Sequence, residues 1–135
     1  VNMSTQDKTL WYQVDQVIPA EHYSGVTGNI HLAPCTDATG VLQLTDLKKD
    51  TKVEYQIELP DDGTYTLELR YNTYYESPLM VILDGKELGV LELLNTDYNW
   101  KNRLVDIPLP AGRHTLELTG TTAFPVTLNW LRFTK

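Results

Sequence analysis

Alternation with a period of two constrains this chain more than any other feature. In the stretch KVEYQIEL, Val53, Tyr55, Ile57 and Leu59 point one way, while Lys52, Glu54, Gln56 and Glu58 point the other. Successive strand side chains leave on opposite faces, so such a segment is a strand with one face in a core and one in water. The pattern recurs with Tyr65, Leu67, Leu69 and Tyr71, with Val105, Ile107 and Leu109, and with His114, Leu116 and Leu118. No stretch sustains the period a helix needs to bury one stripe. Weaker strands read at Leu10–Val17, Val41–Leu47, Leu79–Leu83 and Glu87–Leu93, and the chain ends on a strand in Phe124 to Phe133, giving about nine strands of ordinary length. PDDG (Pro60 to Gly63), Asp84-Gly85 and Pro110 to Gly112 are tight-turn sequences that separate them. The predicted class is all-β, an antiparallel β-sandwich.

The chain has 135 residues and one cysteine, Cys35. That length suits one domain with a real core, and no disulfide is possible within it. A formal net charge of −7, with no basic cluster longer than Lys48-Lys49, argues against nucleic-acid binding. No apolar run is long enough for a membrane helix, so no membrane insertion is expected. The opening VNMSTQDKTLW lacks a signal-peptide pattern. The expectation for residues 1–135 is a monomeric module excised from a longer protein, with any export signal elsewhere.

If each strand crosses the sandwich once, successive connections alternate between its ends. From Lys52 onward the three tight turns therefore share one end. The other end collects Thr45 to Asp50, Asn72 to Pro78, Leu94 to Asn102 and Gly120 to Pro125. These connections carry Tyr74, Tyr75, Tyr98, Trp100 and Phe124, with Asp46, Asp97 and several asparagines. Two adjacent rings such as Tyr74 and Tyr75 cannot both enter a core, so at least one faces solvent. Loops on a rigid sandwich are where binding surfaces are usually built.

Five phrases in order resemble carbohydrate-binding module family 6 or a close relative such as family 35. They are VIPAEHYSG, KVEYQIELPDDGTYTLELRY, VILDGKELGVLEL, IPLPAGRHTLEL and VTLNWLRF, together spanning Val17 to Phe133. The resemblance implies a jelly-roll sandwich, secreted, periplasmic or at the cell surface, that holds a glycoside hydrolase or related enzyme on an oligosaccharide or polysaccharide without doing chemistry itself. It also implies a sugar site in a cleft at the loop end. Where typical members place two aromatic rings and an asparagine, this chain has Asp46, Asp97 and Thr127. Tyr98 stands beside Asp97 and is able to supply a ring, and Trp100 matches the second tryptophan of the same loop motif. The carbohydrate-binding residues implied are thus Asp46, Tyr74, Tyr75, Asp97, Tyr98, Trp100 and Thr127. Ionised carboxylates accept several hydroxyl bonds each, which suits a short or terminal neutral glycan.

Asn129 is an amide inside the apolar strand VTLNWLRF. The resemblance places it in a structural calcium site whose acidic positions here read Pro19 and Glu21, leaving Glu21 and Asn129 as metal ligands. The other reading of Asn129 is a buried amide satisfied by neighbouring backbone. The histidines show no metal-ligand spacing, and no nucleophile or phosphate-loop motif occurs. A structural spacer or protein-interaction sandwich that has lost the sugar site is the alternative function.

Overall fold

The expected alternation is realised residue by residue in the computed structural model, which describes residues 10–135. Among the described residues eleven strands are present: β1 (Ile18–Pro19), β2 (Gly25–Thr27), β3 (His31–Pro34), β4 (Leu42–Leu47), β5 (Lys52–Leu59), β6 (Gly63–Asn72), β7 (Leu79–Leu83), β8 (Lys86–Leu91), β9 (Lys101–Leu109), β10 (Gly112–Gly120) and β11 (Val126–Thr134). In β5 the four apolar residues are buried and the four polar ones are half-buried. Among the described residues there is no helix long and apolar enough to cross a membrane.

The strands form two antiparallel sheets. One runs β3-β4-β11-β6-β9, with β1 also paired to β11, and the other runs β2-β5-β10-β7-β8. The inward rows of both sheets meet in one core containing Tyr55, Tyr65, Leu67, Leu69, Leu116 and Leu118. Burial of two tyrosines requires partners for their hydroxyls. Tyr55 Oη donates to the Ala20 carbonyl at 2.7 Å and Tyr65 Oη to the Asp61 carbonyl at 2.5 Å. Burial also pushes the Tyr55 hydroxyl far above the usual phenol range, with Glu21 adding to the effect.

The predicted strand at Leu10–Val17 is a correction. There only Tyr12 pairs, in an isolated parallel bridge to Ile57. Asp15 has a φ of 70° and Gln16 N–H bonds back to the Gln13 carbonyl, so the segment turns instead of extending. The stretch 1–9, read above for an export signal, lies outside the described residues. β1, β2 and β3 were not predicted, being too short to show a period.

The alternation of connections holds. The β5–β6, β7–β8 and β9–β10 turns lie at one end, and the β7–β8 turn has Asp84 and Gly85 both at positive φ, 51° and 82°, as a two-residue hairpin prefers. His114 staples two of these turns. Its Nδ1 lies 2.6 Å from an Asp84 oxygen and its Nε2 lies 2.9 Å from the Pro110 carbonyl.

Candidate functional site

Four loops meet at the opposite end: 48–51, 73–78, 92–100 and 121–125. Lys49 N–H donates to the Thr122 carbonyl at 2.7 Å and Ser77 N–H to the Leu93 carbonyl at 3.0 Å. Gly120 lets the first and last of these loops touch, because a Cβ there would lie 2.2 Å from the Lys48 backbone.

On this base stand four aromatic rings in a row. Tyr98 stacks on Tyr74 with centroids 5.2 Å apart, Tyr74 meets Tyr75 edge-on at 5.0 Å, and Tyr75 stacks on Phe124 at 4.3 Å. All four are exposed, Tyr98 most at 69%. The structure thus brings together three of the predicted rings and adds Phe124 as a fourth binding candidate. Its signal was a ring in a loop that topology had already assigned to this end.

Edge-to-face and offset stacking are the arrangements ring quadrupoles favour. A sugar ring held between two side chains needs about 7–8 Å between them, two van der Waals contacts. The stacked pairs, at 5.2 and 4.3 Å, leave no such gap. The cleft implied at this end does not lie between the stacked rings, which fill that space themselves. What they offer is a ridge: ring edges and the outer face of Tyr98. Asp97 is exposed beside it, and both residues have positive φ, 56° and 63°, a rare conformation for a bulky side chain such as tyrosine.

Asp46 and Thr127 lie together on adjacent strands. β4 carries one extra residue, so Thr45 and Asp46 both oppose Thr127, which on its other side pairs with Asn72. The Asp46 carboxylate is 2.5 Å from His31 Nδ1 of β3. Trp100 stands apart from the ridge, half-buried, with Nε1–H donating to Thr36 Oγ1 at 3.0 Å.

Asn129 is the extra residue of a bulge in β11, between Leu128 paired with Tyr71 and Trp130 paired with Arg70. The bulge takes it out of the alternation and it is buried. Its Nδ2 donates to Asp37 Oδ2 at 2.9 Å and to the Thr39 carbonyl at 2.7 Å, tying the 35–41 loop to the sheet. Arg70 grips the same carboxylate through Nε at 2.8 Å and Nη2 at 3.1 Å. These guanidinium bonds outweigh burial and hold the Asp37 carboxyl well down, at about 2. The polar chain continues through Asn102 and Glu68 to Arg132.

Glu21 and Asn129 line one pocket of about 420 Å³ with Pro19, Thr39, Gly40 and Trp130. Glu21 Oε1 is buried without a hydrogen-bond partner, which is costly unless a positive group meets it. This oxygen and the Asn129 side-chain oxygen fit a hard cation in kind. Pro19 contributes none, Asp37 is committed to Arg70, and no group of three or more His, Cys, Asp or Glu side chains gathers as a metal site among the described residues.

The fold is that of the family 6 carbohydrate-binding modules. The chain is similar to the C-terminal family 6 module of LamC, a marine laminarinase from Zobellia galactanivorans, at 25% identity and a TM-score of 0.80, covering 89% of this chain and 98% of that one. It is similar to the module CBM6cm-2 of Cellvibrio mixtus lichenase 5A, solved with cellotriose, at 22% identity and a TM-score of 0.81, covering 90% and 98%. The same fold makes up 30% of a Bacillus subtilis family 43 arabinoxylan arabinofuranohydrolase, matched over 100% of this chain at 16% identity and a TM-score of 0.83. No family model and no curated protein sequence matches the chain.

Proposed function

We propose that this chain is a non-catalytic carbohydrate-binding module, working outside the cell as part of a glycan-active enzyme that it holds on a neutral glycan. The observation that carries this reading is the row Tyr98–Tyr74–Tyr75–Phe124, exposed on three loops at one end of a sandwich with this fold. A ring that loses half of one face to a sugar contributes on the order of 1–2 kcal/mol. Two such contacts with a few hydroxyl bonds give the modest affinity a tethered module needs. Asp97 beside the ridge, and Asp46 with Thr127, are the hydrogen-bonding partners in this reading. Trp100 has the weaker claim, since its indole N–H is already bonded. A calcium ion held by Glu21 and Asn129 would fasten the segment after β1 to β11, a role supported by the unpaired Glu21 oxygen.

Calorimetric titration with cellotriose, laminari-oligosaccharides and xylo-oligosaccharides, with and without calcium, tests the reading. Binding that Tyr74→Ala and Tyr98→Ala weaken supports it; no heat with any of these sugars in either condition removes it. A spacer or protein-interaction role is favoured by one observation, the closing of the inter-ring gap. It predicts that the same substitutions leave the parent enzyme's behaviour on polysaccharide unchanged.

A further inference from the structure

Beneath the aromatic ridge lie three buried hydroxyl residues, Thr73, Ser77 and Thr96, which are 1%, 0% and 7% exposed. We propose that they are positioning residues, whose hydrogen bonds sew three separate loops into one rigid platform before any ligand arrives. The inference rests on reading the ridge as the sugar-binding surface.

Thr96 Oγ1 accepts the Thr73 N–H at 3.0 Å and donates to the Thr73 carbonyl at 3.0 Å, so it grips both backbone groups of one residue. The same carbonyl accepts the N–H of Thr96 at 3.0 Å and of Tyr98 at 3.3 Å. The Thr73 hydroxyl in turn shares its one proton between the carbonyls of Tyr75 at 2.8 Å and Pro125 at 3.2 Å, the first being the shorter bond. Ser77 Oγ donates to the Phe124 carbonyl at 2.7 Å and meets Thr122 Oγ1 at 3.2 Å. Every ridge residue is therefore pinned. Tyr75, Tyr98 and Phe124 are bonded through their own backbones, and Tyr74 sits between Thr73 and Tyr75.

Those bonds also hold Asp97 and Tyr98 at positive φ, a state they would rarely visit alone. Ordering a loop at the moment of binding subtracts from affinity, and a surface ordered beforehand avoids that loss. Side chains are held to tolerances of well under an ångström only when supporting groups lock them. Three loops joined by solvent-exposed contacts would give no such lock. Buried hydroxyls do, because each backbone group they satisfy would otherwise be stranded away from water.

Thr96→Val keeps the side-chain shape and removes the hydroxyl that grips Thr73, while Thr96→Ser keeps the hydroxyl. On the whole chain, three readouts compare them: the tyrosine near-ultraviolet circular dichroism that stacked rings generate, hydrogen exchange at the Thr73 and Tyr98 amides, and affinity for cellotriose. The expected result for Thr96→Val is a lost tyrosine signal, exchange at least about tenfold faster, and affinity about tenfold weaker, with unfolding still cooperative. Thr96→Ser should return all three to within about twofold of the parent. If Thr96→Val fails to fold, Ser77→Ala, which frees Phe124 alone, is expected to show the same loss in smaller degree, with exchange read at the Phe124 amide. Wild-type dichroism and exchange in Thr96→Val, or in Ser77→Ala when that variant stands in, would overturn the proposal. A parent chain that binds no sugar, with the ligand-free changes still present in Thr96→Val, refutes the functional reading and supports the positioning role.

Discussion

Asp37→Asn keeps the shape of the side chain and removes its charge, and it should cost the fold roughly 2 kcal/mol at neutral pH. The Arg70 guanidinium, with help from Asn129 and the Ala38 N–H, holds the Asp37 carboxyl at about 2 against an ordinary value of 3.8. Each unit of that fall is worth about 1.4 kcal/mol of preference for the ionised form in the folded state. The side chain is only 7% exposed, so solvent screening removes little of this. The folded-state pKa is depressed, so the contribution is complete above the unfolded value near 3.8 and fades as the pH falls toward 2. Urea unfolding followed across pH is the assay. Asp37→Asn should be less stable than the parent at neutral pH by roughly 2 kcal/mol, and the two should converge near about pH 2. A neutral-pH difference below about 0.5 kcal/mol, or a difference that persists unchanged down to about pH 2, refutes the assignment of this stabilisation to the ion pair. Removing Arg70 instead, with Arg70→Met, should abolish the loss of stability on acidification while leaving Asp37 a buried charge without its main partner, and so cost at least as much at neutral pH.

Tyr98→Ala should weaken sugar binding by about 1–2 kcal/mol in a titration yet change thermal stability by under about 0.5 kcal/mol, because the ring is largely in solvent. His114 gives stability of the opposite pH sense. Burial disfavours its charged ring, but the Asp84 carboxylate and the Pro110 carbonyl, both acceptors, demand two ring N–H groups and raise its pKa above the ordinary 6.5. That contribution is full below the ordinary value and is lost as pH rises through the raised one, so melting temperature should fall across this alkaline step in the parent and not in His114→Gln. Gly120→Ala should destabilise by about 2–3 kcal/mol in chemical unfolding, since its methyl group would collide with the Lys48 backbone. If the proposed ion at Glu21 and Asn129 is held, excess calcium should raise the melting temperature and chelation lower it, and Glu21→Gln should abolish the difference.

The long strands were readable because burial on one face forces alternation, and β5, β6, β9 and β10 lie where that alternation put them. The placement of the loops followed from counting crossings, which needs neither register nor strand order. Residues 18–34 resisted the same reasoning. β1, β2 and β3 span two to four residues, and segments so short have no period to show. Their pairing is set by vacant edges on β4, β5 and β11, a property of the partners.

At the site, Tyr74 and Tyr75 were readable because two neighbouring loop rings cannot both be hidden. Phe124 was seen at the correct end but passed over as a binding residue, having no ring beside it in the sequence. What escaped was every feature that depends on register. Asn129 stood out as an amide in an apolar strand, but its role required the bulge that turns it inward and an arginine from β6 that meets Asp37. Asp46 was placed by resemblance at a position usually held by a ring, and its pairing with His31 depends on the alignment of β3 with β4. A one-residue slip of either strand would exchange the faces of their side chains and dissolve both contacts. The loop end therefore has two chemically different parts, a self-stacked aromatic ridge and a carboxylate–histidine pair, and only the first is written in consecutive residues. Substituting them separately, Tyr98→Ala against Asp46→Asn, distinguishes a ligand held by ring contact from one held through hydroxyls. A glycan seated on the ridge loses affinity chiefly with the first, and one seated over β4 and β11 chiefly with the second.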